Sequence, residues 1–301
     1  MSLRYFSLFT GVGGLDMGLE KRGAECVGFS EIKKSSIEIY KSHYPEHINY
    51  GDITAIDPHD LPDFDILTGG FPCQSFSLAG LRKGLEDNKN KKGAMVLYIY
   101  HLLKAKQPQY FVLENVKGIL NHDGGKTYQK IFNLFHNAGY KVRVVLLNAL
   151  HYGSAQNRER VIFLGSKDEF PALRPEILDD TVRFKDIWDA DDTKYKTIKM
   201  TEKNKNKIEQ LLTFNFELIG KYDRVGTLTT QFGCGEKLVW DEKWDGFRYM
   251  TTLEAERLQG FEDGWTKVGS DNARYWALGN AVNCKMSDYL FNNYLPKIWN
   301  W

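Results

Sequence analysis

Phe9-Thr10-Gly11-Val12-Gly13-Gly14-Leu15-Asp16 is the stretch on which the reading of this chain turns. The apolar run Tyr5–Phe9 feeds into a turn holding three glycines, and helix-compatible residues follow. Glycines in such a turn let the backbone approach a ligand closely, and a helix start behind them favours a negative group such as a carboxylate. The spacing is Gly-x-Gly-Gly and not the dinucleotide fingerprint, so a tight turn without a ligand is the competing reading.

Working outward, further apolar runs predict strands at Cys26–Ser30, Asp65–Thr68, Tyr110–Glu114, Val142–Leu147 and Val161–Gly165. Amphipathic stretches separate several of them, among them the one through Ile37–Tyr40 and Lys126–Asn137. That rhythm predicts a doubly wound α/β domain with a mostly parallel sheet, whose ligands sit at the carboxyl ends of the strands. From about Pro171 an aspartate-rich and then lysine-rich stretch breaks the pattern. Strand-like runs follow at Gly226–Thr230, Lys237–Trp240 and Phe247–Thr251. These predict a smaller domain of irregular β content over residues 191–276. The larger domain covers 1–190 and is completed by 277–301, where Met286–Tyr294 reads as an amphipathic helix.

Composition narrows the class. A chain of 301 residues accommodates one sizeable core and a smaller companion, and no run is long and apolar enough to span a bilayer. Met1 to Asp16 lacks the basic start and small-residue cleavage site of a secretory signal, so a cytoplasmic protein is expected. Cys26, Cys73, Cys234 and Cys284 form no Cys-x-x-Cys pair, which argues against a disulfide framework or a zinc site. A net charge of +1 permits local basic surface without requiring it.

Several residues have the chemistry of a site. Glu31 follows the second strand about twenty residues after the glycine turn, where an acid of a nucleotide-binding fold hydrogen-bonds ribose hydroxyls. Asp52, in Gly51-Asp52-Ile53, is an acceptor for an exocyclic amine such as that of adenine. Gly69-Gly70-Phe71-Pro72-Cys73-Gln74-Ser75-Phe76-Ser77 puts a cysteine behind a strand, a glycine pair and a proline, a setting for a rigid and reachable nucleophile. Leu81–Gly93 carries Arg82, Lys83, Lys89, Lys91 and Lys92, either a basic loop closing over a polyanion or a solvated loop. Glu114 ends an apolar strand, where partial desolvation makes a carboxyl hold its proton more easily. Arg158 and Arg160 alternate along an extended segment, and a surface ion-pair cluster is the plainer reading of them.

Taken in order, these motifs resemble the bacterial and phage DNA cytosine-5 methyltransferases of restriction–modification systems, particularly the small HhaI type. The resemblance runs over nearly all of the chain: Phe9–Gly14, Phe71-Pro72-Cys73-Gln74, Glu114-Asn115-Val116, Gln156–Arg160, Glu254–Phe261 and Gly279-Asn280-Ala281-Val282. It implies a Rossmann-like S-adenosylmethionine-dependent methyltransferase domain, a smaller target-recognition domain, and double-stranded DNA as partner. Cys73 would attack carbon 6 of a flipped-out cytosine while Glu114 holds the ring nitrogen and exocyclic amine. Arg158 would contact the ring oxygen, with Arg160 supporting the site from beside it.

For S-adenosylmethionine, the resemblance points to Phe9, Thr10, Gly11, Val12, Gly14, Ser30, Glu31, Ile32, Asp52, Ile53, Pro72, Asn280 and Ala281, with no metal. For DNA it points to Ser77, Arg82, Arg224, Thr227, Leu228, Thr229, Gln231 and Arg248. A monomer is expected, with a cognate restriction endonuclease acting separately. The chain departs from the family pattern in its Asp87–Gly93 loop. It also departs at Ile32, where a tryptophan is common, and at Asn283, where a proline is common. A transfer-RNA cytosine methyltransferase and a non-catalytic DNA-binding relative are the alternatives. The first would carry a Cys-Phe-Thr signature, whereas Cys234 precedes Gly235-Glu236, and the second would lack Cys73 or Glu114.

Overall fold

The structure, a computed structural model, describes residues 2–72, 95–171, 174–189, 198–199, 201, 217–230, 237–242 and 245–299. Before residue 170 it has strands β1 (Arg4–Leu8), β2 (Glu25–Ser30), β3 (Ile66–Gly70), β4 (Tyr110–Val116), β5 (Lys141–Asn148), β6 (Gln156–Asn157) and β7 (Glu159–Ser166). All but β6 form one sheet in the order β2-β1-β3-β4-β7-β5. β2, β1, β3 and β4 pair in parallel, and β7 runs antiparallel between β4 and β5. The six members lie on the six predicted runs. Asp65 falls just before β3, and Phe9 drops off the end of β1 because its backbone turns left-handed at φ 51°.

Alternate residues of these strands bury on opposite faces. Tyr5, Ile66, Val112, Ile162 and Leu164 share a core with the end of the chain. Phe6, Leu8, Leu67, Phe111, Leu113 and Phe163 share another with helices α3 (Met95–Lys106) and α4 (Lys126–Asn137). A sheet covered on both sides needs apolar residues at consecutive positions, which is why the runs are legible in the sequence. Two helices precede those: α1 (Asp16–Lys21) leaves the glycine turn and α2 (Lys34–His43) follows β2.

The small sheet has the order β8-β12-β11-β9, from β8 (Ile198–Lys199), β9 (Glu217–Ile219), β11 (Lys237–Asp241) and β12 (Gly246–Tyr249). β10 is only Val225–Gly226, and it pairs in parallel with β6 of the larger domain. Of the predicted strand Gly226–Thr230, only Gly226 is in a strand. The strand expected over Phe247–Thr251 stops early because Thr251 caps α5 (Thr252–Gln259) in a reciprocal box with Glu254.

α5 and α6 (Asp271–Asn280) share a core with Val12 and Ile39 of the larger domain and with Ile219 and Val239 of the small sheet. The expected boundary between 276 and 277 falls inside α6. α7 (Cys284–Tyr289) continues into a wider π turn, Leu290–Tyr294. It docks on α1, with Ser287 Oγ donating to Leu15 O at 2.6 Å and Asn292 Nδ2 to Gly18 O at 3.0 Å. No helix among the described residues is long and apolar enough to cross a membrane.

Candidate active site

A cavity of about 620 Å³ opens at the carboxyl ends of β1, β3 and β4. The glycine turn contributes Phe9, Thr10, Gly11 and Gly14, the end of β2 contributes Glu31, and Pro72 follows β3. Asn280 and Ala281 close it from the end of α6, and Glu114, Arg158, Arg160 and Thr227–Thr229 are among its other wall residues.

The turn is held in a strained form. Phe9 sits at φ 51° although it is not glycine, and Gly11 and Gly13 are also left-handed. Gly14 has a different reason to be glycine, since a Cβ there would stand 2.1 Å from Val282 O. Glu31 braces the turn, its Oε2 accepting from Gly11 N at 2.9 Å and its Oε1 from Ile32 N and Lys33 N at 2.8 Å. An ionised carboxylate has about four acceptor positions, so one stays open for a ligand hydroxyl.

Glu114 is buried near the end of β4, with Arg160 Nε 2.7 Å from its Oε1. Burial raises the Glu114 carboxyl above its ordinary range, and the pull of Arg160 and Arg158 in the other direction is the smaller effect. Arg158 is spent elsewhere. Its Nη1 donates to Leu228 O at 3.0 Å, and its Nη2 to Gly279 O at 3.0 Å and Ala281 O at 2.7 Å. Burial, with Arg160 close by, holds this guanidinium below its usual pKa. Arg160 thus stands beside Glu114, and Arg158, also on the cavity wall, holds three carbonyls of two backbone segments. Next to Glu114, Asn115 Nδ2 donates to Phe71 O at 3.0 Å, two residues before Cys73 in the chain. Cys73, Ser77, Arg82, Gln231 and Cys234 lie outside the described residues.

Residues 3–295 match the family model of the C-5 cytosine-specific DNA methylases. The chain belongs to that family. Among curated relatives of this methylase, the type II methyltransferase M.NlaX of Neisseria lactamica is 34% identical over 93% of this chain and 92% of its own length. The orphan methyltransferase M.Rho11sI of Bacillus phage rho11s is 44% identical, but over 56% of this chain and 33% of its own length. Solved structures share the fold. Dnmt2 methyltransferase of S. pombe superposes with a TM-score of 0.74 at 20% identity, over 96% of this chain and 97% of that one. A putative DNA modification methyltransferase encoded within an E. coli prophage gives 0.69 at 21% identity, over 96% and 97%.

Other expected residues of the methylase lie off the cavity wall. Ile32 is 68% exposed, Val12 is buried in the core shared with α5 and α6, and Ile53 packs under the sheet. Ser30 Oγ donates to Gly51 O at 2.7 Å, while Asp52 Oδ1 accepts from Thr54 N at 2.9 Å. Arg248, expected on DNA, is 1% exposed. Its two Nη atoms fork onto Glu254 at 2.8 and 2.7 Å, with Asp241 beyond. A strand residue on the inward face of a small sheet cannot reach a groove. Leu228, on the cavity wall, is likewise buried, its carbonyl holding Arg158 and its N–H donating to Gln156 Oε1 at 3.0 Å. Arg224 is partly exposed and pairs with Asp180 at 3.5 Å.

The methylase also uses residues that sequence reasoning missed. Trp276 of α6 lines the cavity and is 37% exposed, with Lys33 Nζ 4.7 Å from its ring centroid. Asp16 and Ser36, from α1 and α2, line the cavity's inner end. Neither place is signalled by spacing, because the contacts bridge elements far apart in the chain. Asn283, in place of the common proline, caps α7 through Lys285 N and Met286 N and donates to Ser154 Oγ and Leu258 O.

Proposed function

We propose that this chain transfers a methyl group from S-adenosylmethionine to carbon 5 of a cytosine flipped out of a short, specific double-stranded DNA sequence. The observation that carries the reading is Glu114 joined to Arg160 in the cavity, one residue from the side chain that ties down Phe71, two residues before Cys73 in the chain. S-adenosylmethionine fits the other end of the same cavity, where Phe9 offers an aromatic face and Glu31 an open acceptor. When bound, it supplies an electrophilic methyl group.

Cys73, as thiolate, forms a bond to carbon 6 of the cytosine, and the displaced electron pair accumulates at carbon 5 and the ring nitrogen. Glu114, whose carboxyl burial pushes towards its protonated form, donates to that nitrogen and accepts from the exocyclic amine. Arg160 holds Glu114 and faces the ring oxygen, while Arg158 is a positioning residue. After methylation a base removes the carbon 5 proton, the electron pair returns to the ring, and Cys73 leaves. The enzyme acts as a monomer in the cytoplasm, and its product protects DNA from a cognate endonuclease that acts separately.

The test incubates wild type and Cys73→Ala with S-adenosylmethionine and unmethylated plasmid, then maps 5-methylcytosine by bisulfite sequencing. Methylation of one short repeated sequence by the wild type alone is the expected result. No methylation of DNA, with the methyl donor demonstrably bound, would sink the proposal.

A further inference from the structure

One part of the cavity wall is polar and, among the described residues, carries no cation. Ser7, Asp16 and Ser36 line it, and each is 1% exposed. Asp16 Oδ1 accepts from Ser7 Oγ at 2.7 Å, and Oδ2 accepts from the Tyr40 hydroxyl at 2.9 Å. Thr10 Oγ1 backs Ser7 at 3.0 Å, and His47 Nδ1 backs Tyr40 at 3.0 Å. All of these supports are neutral. Burial, with Lys41 adding to it, keeps the His47 imidazole below its ordinary pKa.

The other groups facing this corner do not supply the missing charge. Tyr5 of β1 donates to Glu20 of α1, and Cys26 of β2 is a thiol pushed up to about 12 by burial. Tyr44, just past α2, is a phenol raised by burial. On the outer side of α1, Lys21 is taken by Asp288 at 3.0 Å. The Asp16 carboxyl, desolvated without a counter-ion, titrates at about 7. Ser36 Oγ adds a second observation: it is buried at the same wall and has no hydrogen-bond partner. Native proteins leave few buried polar atoms unpaired, and those they leave call for a ligand or a water.

We propose that Asp16 and Ser36 receive the α-ammonium group of the methyl donor's amino-acid end, Asp16 as its counter-ion and Ser36 as a second acceptor. The inference rests on the reading of this cavity as the S-adenosylmethionine site. An ammonium group carries three N–H donors, which suit a recess of acceptors. The donor's sulfonium carries none and would leave Ser36 unpaired. The glycine turn's expected preference for a ligand carboxylate therefore does not extend to this corner, where the chain itself places an acid.

The test is calorimetric binding of S-adenosylhomocysteine and of its deamino analogue, in which hydrogen replaces the α-amino group. Wild type, Asp16→Asn and Ser36→Ala are compared between pH 6 and 8.5. Wild type is expected to favour the amino compound about tenfold or more. Its affinity should weaken as pH falls below 7, and proton release should appear at pH 7 as a heat that changes with the buffer. Asp16→Asn should bind the two compounds nearly alike with a flat pH profile, and Ser36→Ala should lose a few-fold on the amino compound only.

An Asp16→Asn variant that keeps the wild-type preference and pH slope would overturn the inference. If that variant does not fold, equal binding of the two compounds by wild type overturns it instead. Failure of wild type to bind either compound would bring down the cofactor reading of the cavity itself, an outcome distinct from both.

Discussion

Asn115 Nδ2 lies 3.0 Å from the carbonyl oxygen of Phe71, and this one bond connects the strand that presents Glu114 to the segment that leads into Cys73. Asn115 is 1% exposed, so its amide has no water to fall back on. Asn115→Ala should lower single-turnover methylation about tenfold to a hundredfold, because small misplacement of a reacting group is costly. Affinity for S-adenosylhomocysteine should stay within twofold of wild type. A variant that methylates at the wild-type rate would mean that the Cys73 segment is positioned from elsewhere.

Arg158 and Arg160 should separate in two assays. Arg160→Gln leaves Glu114 without its partner and should reduce turnover by about two orders of magnitude, a loss typical of removing one preorganised donor. Arg158→Met strips the donor from Leu228 O, Gly279 O and Ala281 O together. Its main effect should be on stability, a loss of about 3 kcal/mol or more in urea unfolding. The opposite pattern would place Arg158, and not Arg160, at the ring oxygen.

Arg248→Ala should be among the most damaging changes in the small domain. It leaves Glu254 and Asp241 buried without their cation, and breaking such a group costs about 3–5 kcal/mol. Chemical denaturation measures the loss. Were Arg248 a DNA contact, the variant would instead keep its stability and lose DNA affinity in a salt-dependent way.

Asp16 gives the ligand-free protein a distinctive pH dependence. Its carboxyl titrates at about 7 when folded, against 3.8 for the unperturbed group. The native state therefore holds a proton that the unfolded chain has already lost. That contribution to stability is complete below the unfolded value and disappears as pH rises through the folded one. Between pH 5 and 8, wild type should lose on the order of 2–3 kcal/mol relative to Asp16→Asn. Parallel stability curves for the two proteins would show that Asp16 titrates normally.

The parts of this molecule that were readable in its sequence are those where one physical cause dominates. Strands such as Tyr110–Val116 are buried on both faces, so their apolar runs stand out. Lys126–Asn137 is a helix with one wet and one dry side, and its period shows in the residues. Glu31 and Glu114 were legible because each ends a strand at the rim where ligands bind. Arg248 misled because a strand's alternation does not say which face is inward, and an arginine with two acids as neighbours in space can be the inward one. Trp276, Asp16 and Ser36 escaped because their site role depends on packing between α1, α2 and α6.

The contact between Gly14 and Val282 has a consequence for synthesis on the ribosome. The carbonyl of Val282 occupies the space where any side chain at position 14 would go, so two segments far apart in the chain interlock. A nascent chain carries its glycine turn for more than 260 residues before the piece that closes it emerges. A chain truncated before Ala281 is therefore born with its glycine turn uncovered and one wall of the cavity missing.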